Sequence, residues 1–521
     1  MDAMEWRVRP QIAGERPRSR LRRNIVYNFC GQLLIVVLNL LVVRTVFRGL
    51  GGDALGIVFA SLTLATILAA TLDLGASTTT VRQVSTYAES EPGYVRRLLS
   101  TASLLYWSGY LVLVILVYAA APYLAAEWIR PQQMDMPTVT AALRIFGIGA
   151  LTVLPRSLYA SLLRGLQRMQ FNNAIDAALA GLQLLGTLVI LSLHGNLVEV
   201  GYWFAACYTL GIASYLLVAS RFVGWSGLMP RFSTDVVRRN ASFASTMLLI
   251  SLVSTVHAQT DRLFVSKLLP LQSFGFYSVA ARVVSAAMLP AAAVVQAALP
   301  SFSAALGAAD HAGALAQYRR LQSLVCFGMV PVLAGVAFAT SPVFSFILEP
   351  AASATLFLPT VLLCVAYYLN VTMQIPYIYS LAADKPAIAA RWNVSALALL
   401  PIVGVLVNAF GLVGAAVSTI VYQLWAYAYM VRRICVECLG VSPWSWYREI
   451  VRIGLMSFLT YGVALAAARA LDASDLLIAA GAYAAATAAF AGASYRFAGV
   501  GFRDLWRQAR HTMPGAASHS L

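Results

Sequence analysis

Charge is what this 521-residue chain has least of: 11% of its residues are charged, with 21 acids, 37 lysines and arginines, and five histidines. Combined with 60% hydrophobic residues and a mean hydropathy of +0.74, that scarcity lies outside the range of soluble globular proteins. Long polar segments are scarce too. The longest interruptions between apolar runs, 221–240 and 432–450, are too short to house a soluble catalytic domain. No GxxxxGK[ST] sequence occurs, so ATP does not drive the chain through a P-loop, and no cofactor is expected. No nucleophile–base set and no large acid- or base-bearing loop is present, which argues against a glycosyltransferase, a polymerase or any other enzyme. The six cysteines are scattered, mostly within apolar runs, and read as small buried hydrophobes. The CxxC at Cys435–Cys438 lacks the second Cys or His pair of a zinc site, so no metal is expected. The net charge of +16 is not interleaved with stacking aromatics, which excludes a nucleic-acid partner.

What is present is apolar length. Runs of about 20 residues, enough to cross a bilayer, recur about fourteen times between Asn24 and residue 495. The pattern predicts an all-α polytopic membrane protein. The least regular runs, 174–193 and 388–408, are interrupted by Asp176, Gly181 and Pro401. Seven arginines precede Asn24, and the first run has the length of a span and no small-residue cleavage site, so it reads as an uncleaved helix with a cytoplasmic start. With that orientation about 29 of the 37 basic residues fall in cytoplasmic segments, which predicts an even number of spans and both termini inside. Trp107, Trp128, Trp203, Trp444 and Trp446 read as interface anchors.

The chain then divides into a basic N-terminus (1–23), a six-helix lobe (24–220), a linker (221–240), a second six-helix lobe (241–433), a helix pair (434–498) and a tail (499–521). The two lobes echo each other. RNIVYNF leads to FRGLGGDALGIVFA in the first, and RNASFAS leads to SKLLPLQSFGFYSVA in the second. Arg48 to Gly56 and Lys267 to Gly275 have the same spacing, and each glycine opens a helix. LHGNLVEVGYWFAA is loosely echoed by AFGLVGAAVSTI. Repeated six-helix units are a transporter signature.

Four stretches carry a family resemblance: DLGASTTTVRQVS from Asp73, LLRGLQRMQFNNA from Leu162, TDRLFVSKLLPLQSFGFYSVAARV from Thr260, and ALPSFSA from Ala298. Their order and spacing resemble the Wzx-like polysaccharide flippases of the multidrug/oligosaccharidyl-lipid/polysaccharide (MOP) exporter superfamily, over roughly residues 20–435. The resemblance implies two lobes forming a V that opens alternately to each side of a bacterial inner membrane. It implies as cargo an undecaprenyl-pyrophosphate-linked oligosaccharide, the repeat unit of an O-antigen, other lipopolysaccharide or exopolysaccharide. Membrane lipids, a polysaccharide polymerase and a chain-length regulator are the other partners it implies. A multidrug or cation antiporter and a lipid II flippase are the alternative members, although the latter's N-terminal sequence is not found here.

Charges inside the apolar runs are the candidate site, because placing them in hydrocarbon is costly. Arg144 and Arg282 lie a turn or two into spans and suit a pyrophosphate, since guanidinium is a permanently charged planar fork. Each has an ion pair within its lobe as the plainer role. Arg44 and Arg262 sit near helix ends, where they bind cargo or snorkel to headgroups. Asp73 and Asp261 either couple transport to an ion or neutralise an arginine, with Arg282 the expected partner of Asp261; Asp73 alternatively holds a helix end before Gly75. Asp176 is expected at the interface. His257, four residues before Asp261, reads as a hydrogen-bonded structural residue or as a proton relay.

Overall fold

The computed structural model describes residues 17–73, 76–129, 131–132, 134–470 and 476–497. The arginines before Pro17, Gly75 and the basic cluster Arg503/Arg507/Arg510 lie outside the described residues. Among the described residues every regular element is a helix, and eleven helices are long and apolar enough to cross a membrane. Two of those eleven are interrupted by a glycine of positive φ. An α-helix rises about 1.5 Å per residue and the hydrocarbon core is about 30 Å thick, so a 56-residue helix cannot cross straight. The first element, α1 (Pro17–Leu72), breaks at Gly51, where φ is 84°. α15 (Leu400–Ala426) breaks in the same way at Gly411, with φ 57°. Only glycine takes that backbone conformation without steric cost.

The chain separates into two compact units, residues 1–278 and 279–521. In the first, α1 is followed by α2 (Ala76–Tyr87), α3 (Pro92–Tyr123), α4 (Met136–Leu151), α5 (Val153–Gly165), α6 (Met169–Ser192), α7 (Leu197–Val223), the short α8 (Trp225–Leu228) and α9 (Thr234–Leu268). α10 (Leu271–Ala286) crosses from the first unit into the second. The second continues with α11 (Leu289–Gly307), α12 (His311–Ile347), α13 (Pro350–Ala382), α14 (Ala387–Ala396), α15, α16 (Arg432–Ile434), α17 (Pro443–Ser457), α18 (Val463–Ala470) and α19 (Leu476–Phe497).

Helix ends follow local chemistry. Asn196 caps α7, accepting from the N–H groups of Val198 and Glu199, while Glu199 reaches back to the Asn196 N–H. Asp135 caps α4, and the Thr138 hydroxyl and N–H hold its carboxyl below the usual carboxylate range. The turns after α5, α6, α11 and α13 are closed by left-handed residues Gln167, His194, Ala309 and Asp384.

The first unit's core gathers Tyr106, Tyr159, Tyr215, Leu99, Leu151 and Leu154. The second unit's core runs from Phe302, Tyr318 and Tyr379 to Trp446 and Tyr461. The C-terminal helices belong to that core: Tyr483 of α19 donates to the Pro331 carbonyl of α12 at 3.0 Å, and its ring lies 5.8 Å from Phe338.

The matched glycines of the two sequence echoes touch. A Cβ on Gly56 would lie 2.4 Å from the Leu271 carbonyl oxygen, and one on Gly275 would lie 2.9 Å from the Gly56 nitrogen. The close approach of α1 and α10 therefore depends on both side chains being hydrogen. Gly56→Ala should force a backbone shift and destabilise the protein by about 1–3 kcal/mol. Gly181→Ala, with open space around its Cβ, should be neutral or slightly stabilising. Thermal melting of the purified protein checks this; equal melting temperatures for the two variants would contradict the packing.

Candidate functional site

Several charged side chains of the first unit are held by particular partners. Asp73 stands just past the end of α1, with its N–H bonded to the Ala69 carbonyl. Its Oδ1 accepts from the Tyr106 hydroxyl of α3 and from Ser77 of α2, both at 2.6 Å. Ser77 also lies 3.1 Å from the Tyr106 hydroxyl and 3.2 Å from Ser157 of α5. Four elements thus converge on one carboxylate through neutral hydroxyls. Such charge-assisted bonds are stronger than neutral ones. The arrangement surrounds the Asp73 carboxylate with neutral hydroxyl donors.

Arg144 of α4 is half-buried. Its Nε donates to the Tyr118 carbonyl of α3 at 3.1 Å, and the guanidinium stacks 4.1 Å over the Tyr118 ring. Both contacts orient the fork and leave its charge in place. Asp261 of α9 accepts from the Tyr277 hydroxyl at 2.7 Å. Its neighbour Arg262 turns another way: Nη1 donates to Gln259 at 2.9 Å, while the buried Nε meets no acceptor. Arg44 is half-buried on α1, and Arg282 lies exposed on the part of α10 that belongs to the second unit.

The structure also pairs charges to which the sequence assigns no common role. Arg156 of α5 bridges Asp176 of α6 at 3.2 Å, Tyr215 of α7 donates to the same carboxylate at 3.0 Å, and the guanidinium lies 5.6 Å from the Tyr215 ring. Asp176, expected at the interface, is thus one corner of a triad tying three helices. Its signal was Arg156 inside an apolar run, which needed a partner by the same reasoning applied to Arg144. On α9, Lys267 bonds the Glu127 carbonyl and lies 5.1 Å from the Trp128 ring, and the Trp128 N–H donates to Ser266 at 3.0 Å. Among the described residues no three His, Cys, Asp or Glu side chains gather as a metal site would require.

Comparison with known proteins decides the family. The family model for polysaccharide biosynthesis proteins matches residues 21–306, more than half of the chain. The chain belongs to the polysaccharide biosynthesis protein family. No curated protein matches it. Among solved structures it is similar to the lipid II flippase MurJ in an inward closed conformation, with a TM-score of 0.69, 14% identity, and coverage of 90% of this chain and 98% of that one. It is also similar to an inward-facing multidrug resistance MATE transporter of the MOP superfamily (TM-score 0.63, 16% identity, 78% and 95% coverage). A third match is a MOP superfamily transporter from Pyrococcus furiosus (TM-score 0.58, 12% identity, 81% and 96% coverage). At these identities the likeness establishes the fold, that of MOP superfamily transporters. With eleven candidate spans, this family member is a multi-pass membrane protein.

The hydroxyl shell gives a direct test. Tyr106→Phe removes one charge-assisted bond from a partly buried carboxylate and should cost about 1.5–3 kcal/mol of stability. Ser103→Ala, whose hydroxyl lies 3.4 Å from Tyr159, removes a longer neutral contact and should cost less. Melting temperatures in the same detergent check the order; the reverse order would mean that Asp73 is not stabilised by Tyr106.

Proposed function

We propose that this chain is a flippase that moves a polyprenyl-pyrophosphate-linked oligosaccharide across the bacterial inner membrane for surface polysaccharide biosynthesis, by alternating access. The family match over residues 21–306 carries this reading. The cargo sets three requirements: cations for the diphosphate, hydrogen-bonding groups for the sugars, and an apolar surface for the polyprenyl chain. Arg144 meets the first, since a half-buried guanidinium tied only to a carbonyl and a ring keeps its full charge for an anion. We assign the same role to Arg282, with Arg44 and Arg262 as further cationic contacts. Asp73 and Asp261 serve as ion-coupling or charge-balancing groups. The reading needs no catalytic residue. It also takes the chain as two six-helix repeats, 24–220 and 241–433, with both termini cytoplasmic.

Two other cargoes deserve comparison. Lipid II, named for the similar MurJ structure, is also a polyprenyl diphosphate and presents the same anion to Arg144. The hydroxyl-ringed Asp73 suits an antiporter that exchanges a cation, and the similarity to a multidrug resistance transporter keeps a drug in view as cargo. Intramembrane arginines weigh against a cationic drug as cargo.

Replacing Arg144 or Arg282 with Ala in the native host should abolish surface polysaccharide while the protein still accumulates in the membrane. Normal polymer in both variants would refute their role. Intact polymer with arrested peptidoglycan synthesis on depletion of the chain would point to lipid II, and drug hypersensitivity alone would point to the antiporter.

A further inference from the structure

Between α7 and α9 lies a segment, 224–233, to which the reading above gives no task. α7 is long and apolar enough to cross a membrane, so the segment that follows it starts at a membrane boundary. Its backbone is fixed against α3. The Arg231 N–H donates to the Ser100 carbonyl at 3.2 Å, and the Ser100 hydroxyl donates to the Gly227 carbonyl at 3.1 Å. Val223, Leu228 and Val236 enter the core of the first unit. The side chains between them face outward: Trp225, Met229 and Phe232 are 57%, 54% and 62% exposed. Apolar surface of this kind is costly in water, and at a membrane boundary it enters the zone between headgroups and acyl chains.

Arginines accompany that apolar row. Residues 89–97 and 221–239 hold six arginines and three acids. Arg239 pairs with Glu91 at 3.3 Å, whereas among the described residues Arg96, Arg97, Arg221, Arg231 and Arg238 make no ion pair. Arg96 stands directly beneath the segment: a Cβ on Gly227 would lie 3.2 Å from Arg96 Cγ, so a bare glycine there leaves room for the arginine stem. Arg96 Nε is buried and meets no acceptor. Ser100, which holds Arg231, is one turn beyond Arg96 on the same face of α3, so the two arginines share one edge of the segment. A buried N–H is normally bonded, and an unused one beside surplus guanidinium charge fits an anionic acceptor.

We propose that segment 224–233 and the end of α3 beneath it bind an anionic glycerophospholipid, with Arg96 and Arg231 on its phosphate and Trp225, Met229 and Phe232 among its acyl chains. Each half of such a lipid has its counterpart. Guanidinium meets phosphate through paired hydrogen bonds while its stem lies along apolar surface. The exposed aromatic row supplies the apolar contact. A choline lipid offers the same phosphate but carries a cation beside it, which the arginine surplus repels, so the surface prefers a headgroup of net negative charge. The backbone bonds to Ser100 hold the outward side chains in place beforehand, which lowers the ordering cost of binding.

The test uses the full chain purified in detergent and counts bound lipid by native mass spectrometry during titration with phosphatidylglycerol or phosphatidylcholine. Phosphatidylglycerol should bind at least about tenfold more tightly than phosphatidylcholine. Arg96→Gln/Arg231→Gln should remove that preference. Arg432→Gln/Arg433→Gln, an equal loss of charge in the second unit, should retain it, and Trp225→Ser/Phe232→Ser should weaken both lipids. No preference in the unmodified chain, the same loss in both arginine pairs, or unchanged binding in Arg96→Gln/Arg231→Gln overturns the proposal. Displacement of phosphatidylglycerol by an equal concentration of undecaprenyl diphosphate also overturns it, by assigning the surface to cargo. If the Arg96 variant is not monodisperse, Arg221→Gln/Arg231→Gln, at two exposed positions, decides by the same readout. Failure here leaves the cargo assignment untouched, because Arg96 and Arg231 have no part in it.

Discussion

Hydrocarbon offers no hydrogen bonds, and every other feature of this protein follows from that. Backbone groups must be satisfied within the segment, so every regular element among the described residues is a helix. The breaks fall where glycine allows a left-handed residue inside a long apolar run, at Gly51 and Gly411. The same constraint acts on side chains. Four ionisable side chains of the first unit have partners that fix their direction: Tyr106 and Ser77 for Asp73, Tyr118 for Arg144, Tyr277 for Asp261, Asp176 for Arg156.

Those partners separate the charges by kind. Arg156 and Asp176 neutralise each other and act as a structural tie across three helices. Arg144 and Asp73 are held by neutral groups. An ionisable residue held by neutral groups in an apolar setting is an expensive arrangement and marks a candidate functional position. Each is oriented by an aromatic residue of α3, Arg144 by Tyr118 and Asp73 by Tyr106.

Much of this was legible in the sequence. Apolar run length gave the membrane class, and the spacing of Arg48–Gly56 and Lys267–Gly275 singled out two glycines that prove to lie against each other. The two helices on either side of Gly51 were legible as separate runs because FRGLGGDALG carries turn residues. Side-chain partners were not. Tyr106, Tyr118, Tyr215 and Tyr277 sit in apolar stretches where a tyrosine reads as core, and nothing in a linear sequence marks its hydroxyl as the group a distant charge will use. Arg156 and Asp176 escaped for the same reason: they are 20 residues apart on different helices, and only packing brings them together.

The central claim is movement of an anionic polyprenyl-linked sugar through a helical membrane protein. It is tested most directly by placing the purified chain in liposomes loaded with a fluorescent undecaprenyl-pyrophosphate oligosaccharide and adding a membrane-impermeant quencher. The account predicts that the inner-leaflet pool becomes quenchable in liposomes containing the protein, and that Arg144→Ala abolishes this while still inserting. An inner pool as protected as in empty liposomes, across sodium and proton gradients of either direction, would contradict it.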